Sequence, residues 1–134
     1  MIVVDTNILA HFWLPSDSTD LCDELYQKDP QWVAPMLWQS EFRNVLTLYL
    51  RKELIDLAEA LLIMEKAELQ MKGQQFQVNS VQVLQHVSKS TCSSYDCEFV
   101  CLAKDLDLKL ITIDKQLLRE FPNLAKHPEK IIQL

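Results

Sequence analysis

The run Ile2-Val3-Val4 is short, β-branched and closed by Asp5, the pattern of a strand buried on both faces. Pro15, Ser16 and Asp17 then break the chain, and Asp17 stands where it would cap a helix over residues 18–28. Trp32-Val33-Ala34 offers a second short strand before Pro35. Over residues 36–52 apolar positions recur at helical spacing, through Leu37 or Trp38, Phe42, Val45, Leu46 and Tyr49. A further helix is expected over residues 55–72, with Ala58, Leu61, Leu62 and Leu69 on one face. The short join at Glu53 and Leu54 makes these two an antiparallel hairpin, and Gly73 is placed to end the second.

Beyond Gly73, Phe76-Gln77-Val78 alternates as a strand does, and Ser80 opens a short helix reaching Val87. Ser93 and Ser94 cap another that runs to about Lys104. Residues 108–113 read as a strand, residues 115–120 as a short helix and residues 131–134 as a closing strand. Strands alternating with helices predict a parallel sheet covered on both faces, a three-layer α/β/α fold carrying a helical hairpin. No linker, repeat or low-complexity tract interrupts the pattern, so residues 1–134 are expected to form a single domain.

Composition narrows the function. A chain of 134 residues buries about two-thirds of its extended surface on folding, enough for a core without metal or disulfide staples. Lys and Arg number 13 against 19 Asp and Glu, and the net charge of -6 argues against holding nucleic acid by bulk electrostatics. With Gly73 as its only glycine the chain contains neither a GxxxxGK[ST] loop nor a GxGxxG turn. Cys22, Cys92, Cys97 and Cys101 lack a histidine at zinc-site spacing and read as reduced, packed thiols. No basic leader precedes Ile2, and the longest apolar run covers only residues 60–64, so a soluble, cytoplasmic protein is expected. His11, His86 and His127 lie in unrelated contexts, and no Ser-His-Asp or Cys-His arrangement is present.

The candidate chemistry rests on four acids. Asp5 and Asp114 follow strands, where open parallel sheets collect ligands, and Asp96 lies in the first turn of its helix. Glu41 is surrounded at helical spacing by Leu37, Trp38, Val45 and Leu48, and a carboxylate there needs a donor or a cation. Each also has a structural explanation: a turn for Asp5, a capping box with Ser93 for Asp96, an N-cap for Asp114 and a pairing with Arg43 or another donor for Glu41. Right-handed crossovers would bring Asp5, Asp96 and Asp114 to one crevice, with no basic residue on the apolar faces of their elements. Oxygen-only ligands at that density suit Mg²⁺ or Mn²⁺, and metal-assisted hydrolysis of a phosphodiester follows.

The opening I-V-V-D-T-N, Glu41 within W-Q-S-E-F, the run S-S-Y-D-C-E-F-V-C-L-A and the segment L-I-T-I-D-K-Q-L together resemble the PIN-domain family, most closely its VapC-type toxins. The similarity spans residues 1–118 and places Asp5, Glu41, Asp96 and Asp114 on the family's acidic positions. It places Asn7 on the asparagine that orders the first acid, and Thr112 on the hydroxyl of the T-x-D element. The resemblance implies a Mg²⁺- or Mn²⁺-dependent endoribonuclease, often a homodimer, silenced by a cognate antitoxin. Cys97 and Cys101 depart from the family's small alanines, and the turn before Leu108 lacks its usual glycine.

For an RNA substrate the candidate cations are Arg43, Arg51, Lys52, Lys115 and Arg119. The run Leu61-Leu62-Ile63-Met64 is wider than one buried stripe, which a partner chain or a fully buried helix would each explain. Two other readings stay open at this level. One is a PIN-like scaffold that binds RNA or protein without cutting; the other is an aspartyl-phosphate phosphatase, for which Asn7 replaces a required aspartate.

Overall fold

The structure, a computed structural model, describes residues 1–134. Five parallel strands stand in the order β3-β2-β1-β4-β5. They are β1 (Ile2–Val4), β2 (Trp32–Pro35), β3 (Gln75–Phe76), β4 (Leu110–Ile111) and β5 (Ala125–Lys126). β1 is central: Val3 pairs with Val33 on one side and with Leu110 on the other. All three of its residues are buried, as a strand covered on both faces requires.

The helices are α1 (Thr6–Trp13), α2 (Thr19–Lys28), α3 (Trp38–Arg51), α4 (Leu57–Met71), α5 (Ser80–Ser88), α6 (Ser94–Leu106), α7 (Lys115–Glu120) and α8 (Pro128–Ile132). α1 to α4 pack against one another and α5 packs against α6, two groups that right-handed crossovers place on opposite faces of a sheet of this strand order. α6 packs directly on β1, β2 and β4, burying Phe99, Val100, Cys101 and Ala103. Chain order reverses beside β1, between the β2 and β4 sides, and this reversal opens the crevice at the strands' carboxyl ends.

The layered α/β/α architecture is as the sequence predicts, with four local corrections. Residues 6–13 are helical, an element the hydrophobic pattern did not announce because its start is signalled by Asp5 alone. Asp17 caps nothing: Ser18 holds the N-cap position of α2 without a side-chain bond, and the loop is tied instead by Thr19 Oγ1 donating to the carbonyls of His11 and Leu14. Residues 131–134 are not a strand. Pro128 at the first position of α8 and His127 at its cap start a helix there, packed against α2, and the fifth strand is the shorter Ala125–Lys126. The face of α4 turned inward is Ala60, Ala67 and Met71, so Leu61, Leu62 and Leu69 point outward, 62%, 51% and 66% exposed.

Three turns use left-handed backbone, the first at Glu53, at φ +56°, between α3 and α4. Gly73, at φ +76°, lets the chain leave α4 for β3. Asp107, at φ +54°, ends α6 where a glycine would sit without strain. The four cysteines are buried free thiols, and burial raises the pKa of each. No helix is long and apolar enough to cross a membrane.

Candidate active site

Asp5 is the last residue before α1, and its placement follows from the end of β1. Its backbone N–H donates to the Ile111 carbonyl and completes the β1–β4 ladder, while its side chain caps α1 through Oδ1, which accepts from Thr6 N–H at 2.8 Å. Its other oxygen, Oδ2, accepts from Thr112 Oγ1 at 2.7 Å and from Asn7 Nδ2 at 3.3 Å. Thr112 Oγ1 also accepts from the Asp114 backbone N–H at 3.0 Å, so one hydroxyl joins the ends of β1 and β4. The side chain of Asp114 caps α7, accepting from Leu117 N–H at 2.9 Å.

Glu41 approaches from α3, where Oε1 accepts from Thr6 Oγ1 at 2.7 Å. Neither Arg43 nor any other cation pairs with it; Arg43 turns to Gln39. Asp96 sits in the first turn of α6, which Ser93 caps by accepting from the Asp96 backbone N–H at 3.0 Å. The reciprocal half of the anticipated capping box is not formed, and the Asp96 carboxylate is left to the cleft.

These four acids line one open cleft of about 490 Å³, together with Thr6, Asn7, Ser40, Asn44 and Tyr95. None of Arg43, Arg51, Lys52, Lys115 and Arg119 lines it. Without a counter-charge the acids raise one another. Burial pushes the Asp5 carboxyl up to about 7, with Asp96 and Glu41 adding to the shift and the Thr112 bond opposing it. Burial also raises Glu41, helped by Asp96 and Glu98, and raises Asp96, helped by Asp114.

Whether these residues suit a cation is decided by their donor chemistry. The cleft presents carboxylates and amides to one space, a set that matches a hard divalent ion better than zinc. Asn7 Oδ1 adds a buried oxygen with no hydrogen-bond partner. As the side chains stand, no three acidic, histidine or cysteine groups converge closely enough to ligate one ion, so gathering them takes side-chain rotation. The donor set therefore fits Mg²⁺ or Mn²⁺ in kind, with Asp5, Asp96 and Asp114 the residues that would hold it.

Sequence reasoning passed over Thr6, Tyr95 and Glu98. Thr6 stands inside the V-D-T-N run, and its contact with Glu41 spans 35 residues, a pairing that spacing cannot announce. Glu98 reads as one more helix-face charge, and in the fold its charge adds to those that raise Glu41.

Comparison with known proteins adds two kinds of finding. The family model described as the PIN domain matches residues 2–124. The fold is similar to the crystal structure of PAE2754 from Pyrobaculum aerophilum, with a TM-score of 0.78 and 20% identity over 98% of this chain and 93% of that one. It is also similar to the crystal structure of FitAcB from Neisseria gonorrhoeae, with a TM-score of 0.76 and 15% identity over 96% and 99% of the two chains. No curated protein matches the sequence.

Proposed function

The chain belongs to the PIN domain family, whose members are typically nucleases, and from that premise we propose that it is a metal-dependent endoribonuclease of the VapC toxin type. One observation carries the proposal: four carboxylates from four separate elements line a single cleft that no cation lines. Such a cluster is destabilising by itself, and a fold that keeps it is explained by a ligand that neutralises it.

Asp5, Asp96 and Asp114 are the proposed metal ligands, with Glu41 the fourth catalytic acid. A bound Mg²⁺ or Mn²⁺ supplies Lewis-acid stabilisation of phosphate charge and a more acidic water. Glu41 keeps Oε2 free while Thr6 holds Oε1, and burial raises its pKa, which makes its carboxylate a stronger proton acceptor. Thr112 and Asn7 are positioning residues, fixing both oxygens' orientation on Asp5 through the bonds to Oδ2. The open cleft admits a strand from solvent, and the ribonucleotide chain is the substrate this reading assigns. The outward leucines of α4 are the proposed contact for a partner chain, either a second copy in a homodimer or a cognate antitoxin.

Incubation of the purified protein with a pool of single-stranded RNAs, with Mg²⁺, Mn²⁺ or EDTA, tests the proposal. Cleavage that needs the metal and disappears in Asp5→Asn and Asp96→Asn variants with intact circular dichroism supports it. Metal-independent cleavage, or equal cleavage by the variants, overturns it. Binding of RNA without any cleavage would support the scaffold reading instead.

A further inference from the structure

A second hollow, of about 510 Å³, lies beside the catalytic cleft. Its apolar walls include Met36, Phe76, Val83 and Leu84, and Ser94 and Glu98 form part of its polar side. The two spaces share a border in sequence: Met36 and Ser94 line this hollow, while the next residues, Leu37 and Tyr95, line the cleft. Glu98 also lies close enough to Glu41 for the two carboxylates to repel. The hollow falls within the roughly 300–1,000 Å³ range of small-molecule sites.

Glu98 is half-buried there, and it belongs to neither of the chain's ion pairs and accepts no side-chain hydrogen bond. Its carboxylate presents two parallel acceptors beside apolar walls. A flat, apolar-faced group with two adjacent donors on one edge is its complement. Among the RNA bases only guanine has such an edge, N1–H beside the N2 amino group. Adenine and cytosine set a ring-nitrogen lone pair next to their amino group, and uracil flanks its one N–H with two carbonyls. Each would turn an acceptor toward one carboxylate oxygen.

We propose that this hollow seats an unpaired guanine next to the scissile phosphate, with Glu98 accepting from its N1–H and N2–H. The proposal rests on the ribonuclease reading and deepens it from RNA in general to RNA with guanine beside the cut. Tyr95, exposed at the border of the two spaces, offers a face on which a neighbouring base stacks. An arginine from a protein partner would also bring two donors to Glu98, but it does not require a hollow of this volume with apolar walls.

The test separates binding from cleavage. The isotope-labelled protein is titrated in EDTA at low salt with hexauridylate and with three variants carrying G, A or C at one internal position, followed by amide NMR. The guanine strand is expected to bind on the order of tenfold tighter or more than the others, the discrimination of a good bidentate pair, and to shift Val83, Ser94 and Glu98. Glu98→Gln, which exchanges one acceptor for a donor, should erase that preference, and so should Leu84→Trp, which fills the hollow. Equal binding of all four strands overturns the proposal, as does a guanine preference that survives Glu98→Gln. A Glu98 shift produced by N-acetylargininamide and by none of the strands also overturns it, in favour of a protein partner. A protein that prefers the guanine strand yet cleaves no RNA with Mg²⁺ keeps the pocket and loses the ribonuclease reading. One that cleaves without regard to guanine loses the pocket alone.

Discussion

Thr112 Oγ1 donates to Asp5 Oδ2 at 2.7 Å across 107 residues of sequence, while the same oxygen accepts from the backbone N–H of Asp114. Both partners belong to the carboxylate cleft, so the hydroxyl sets the spacing of two of its acids. Thr112→Val would remove the shorter of the two bonds to Asp5 Oδ2, leaving that oxygen only the 3.3 Å bond from Asn7, and would leave the Asp114 backbone N–H without an acceptor. The expected loss is about 1–3 kcal/mol in urea unfolding, with Thr112→Ser recovering most of it.

Stability should fall with rising pH. The folded-state pKa of Asp5 is raised from 3.8 to about 7, so between those values the folded chain holds a proton that the unfolded chain has released. Its stabilising contribution is present below the lower value, is lost as pH climbs to the upper one, and stays lost above it. The full span is on the order of 4 kcal/mol. Thermal unfolding in EDTA from pH 4 to pH 8 should trace that decline, and Asp5→Asn should flatten it.

A divalent cation should reverse the same loss. Mn²⁺ at about a hundred times its dissociation constant adds about 2.7 kcal/mol to stability, and the gain should be greater at pH 8 than at pH 5.5 because protons compete for the same oxygens. Differential scanning calorimetry with and without the ion reads it directly. Asp96→Asn should abolish the gain.

The outward face of α4 makes a different kind of prediction. Leu61 and Leu62 are largely exposed, so replacing both by glutamate should change monomer stability by less than about 0.5 kcal/mol each. Under the homodimer proposal, sedimentation should then show a dimer for the unmodified chain and a monomer for the variant. An unchanged sedimentation coefficient with antitoxin capture lost would assign the face to the antitoxin.

At the end of α6, Asp107 holds φ +54°. Asp107→Gly relieves that conformation and should stabilise the protein by about 0.5–1 kcal/mol in denaturant titration. The departure from a glycine turn, visible in the sequence, thus corresponds to a strained aspartate and not to a different turn.

Much of this was legible beforehand because local signals coincided. β1 is three apolar residues ended by a cap, α6 is announced by Ser93, and α7 runs from Lys115 to Glu120 as its pattern predicts. The four acids could be selected because each stands at an element boundary or on an apolar face. What could not be read was the direction of α4, whose leucines carry the helical period but whose alanines form the packed surface. Ile131 and Ile132 misled in the same way, since two β-branched residues suggest a strand until Pro128 is given its role as a helix start. The Thr6–Glu41 and Thr112–Asp5 bonds are products of topology, and no spacing rule contains them.

The register of the central strand has a consequence for the timing of assembly. Val3 and Val4 pair with Leu110 and Ile111, so β1 remains without one of its two neighbours until β4, far later in the sequence, has been made. A chain still emerging from the ribosome therefore carries Asp5 and Glu41 long before it carries Asp114 beside them. The cleft is not complete before β4 and Asp114 have been made, and a product truncated ahead of β4 lacks that side of it. Under the proposed ribonuclease function, this order keeps the nascent chain inert beside the message and the ribosome that are producing it.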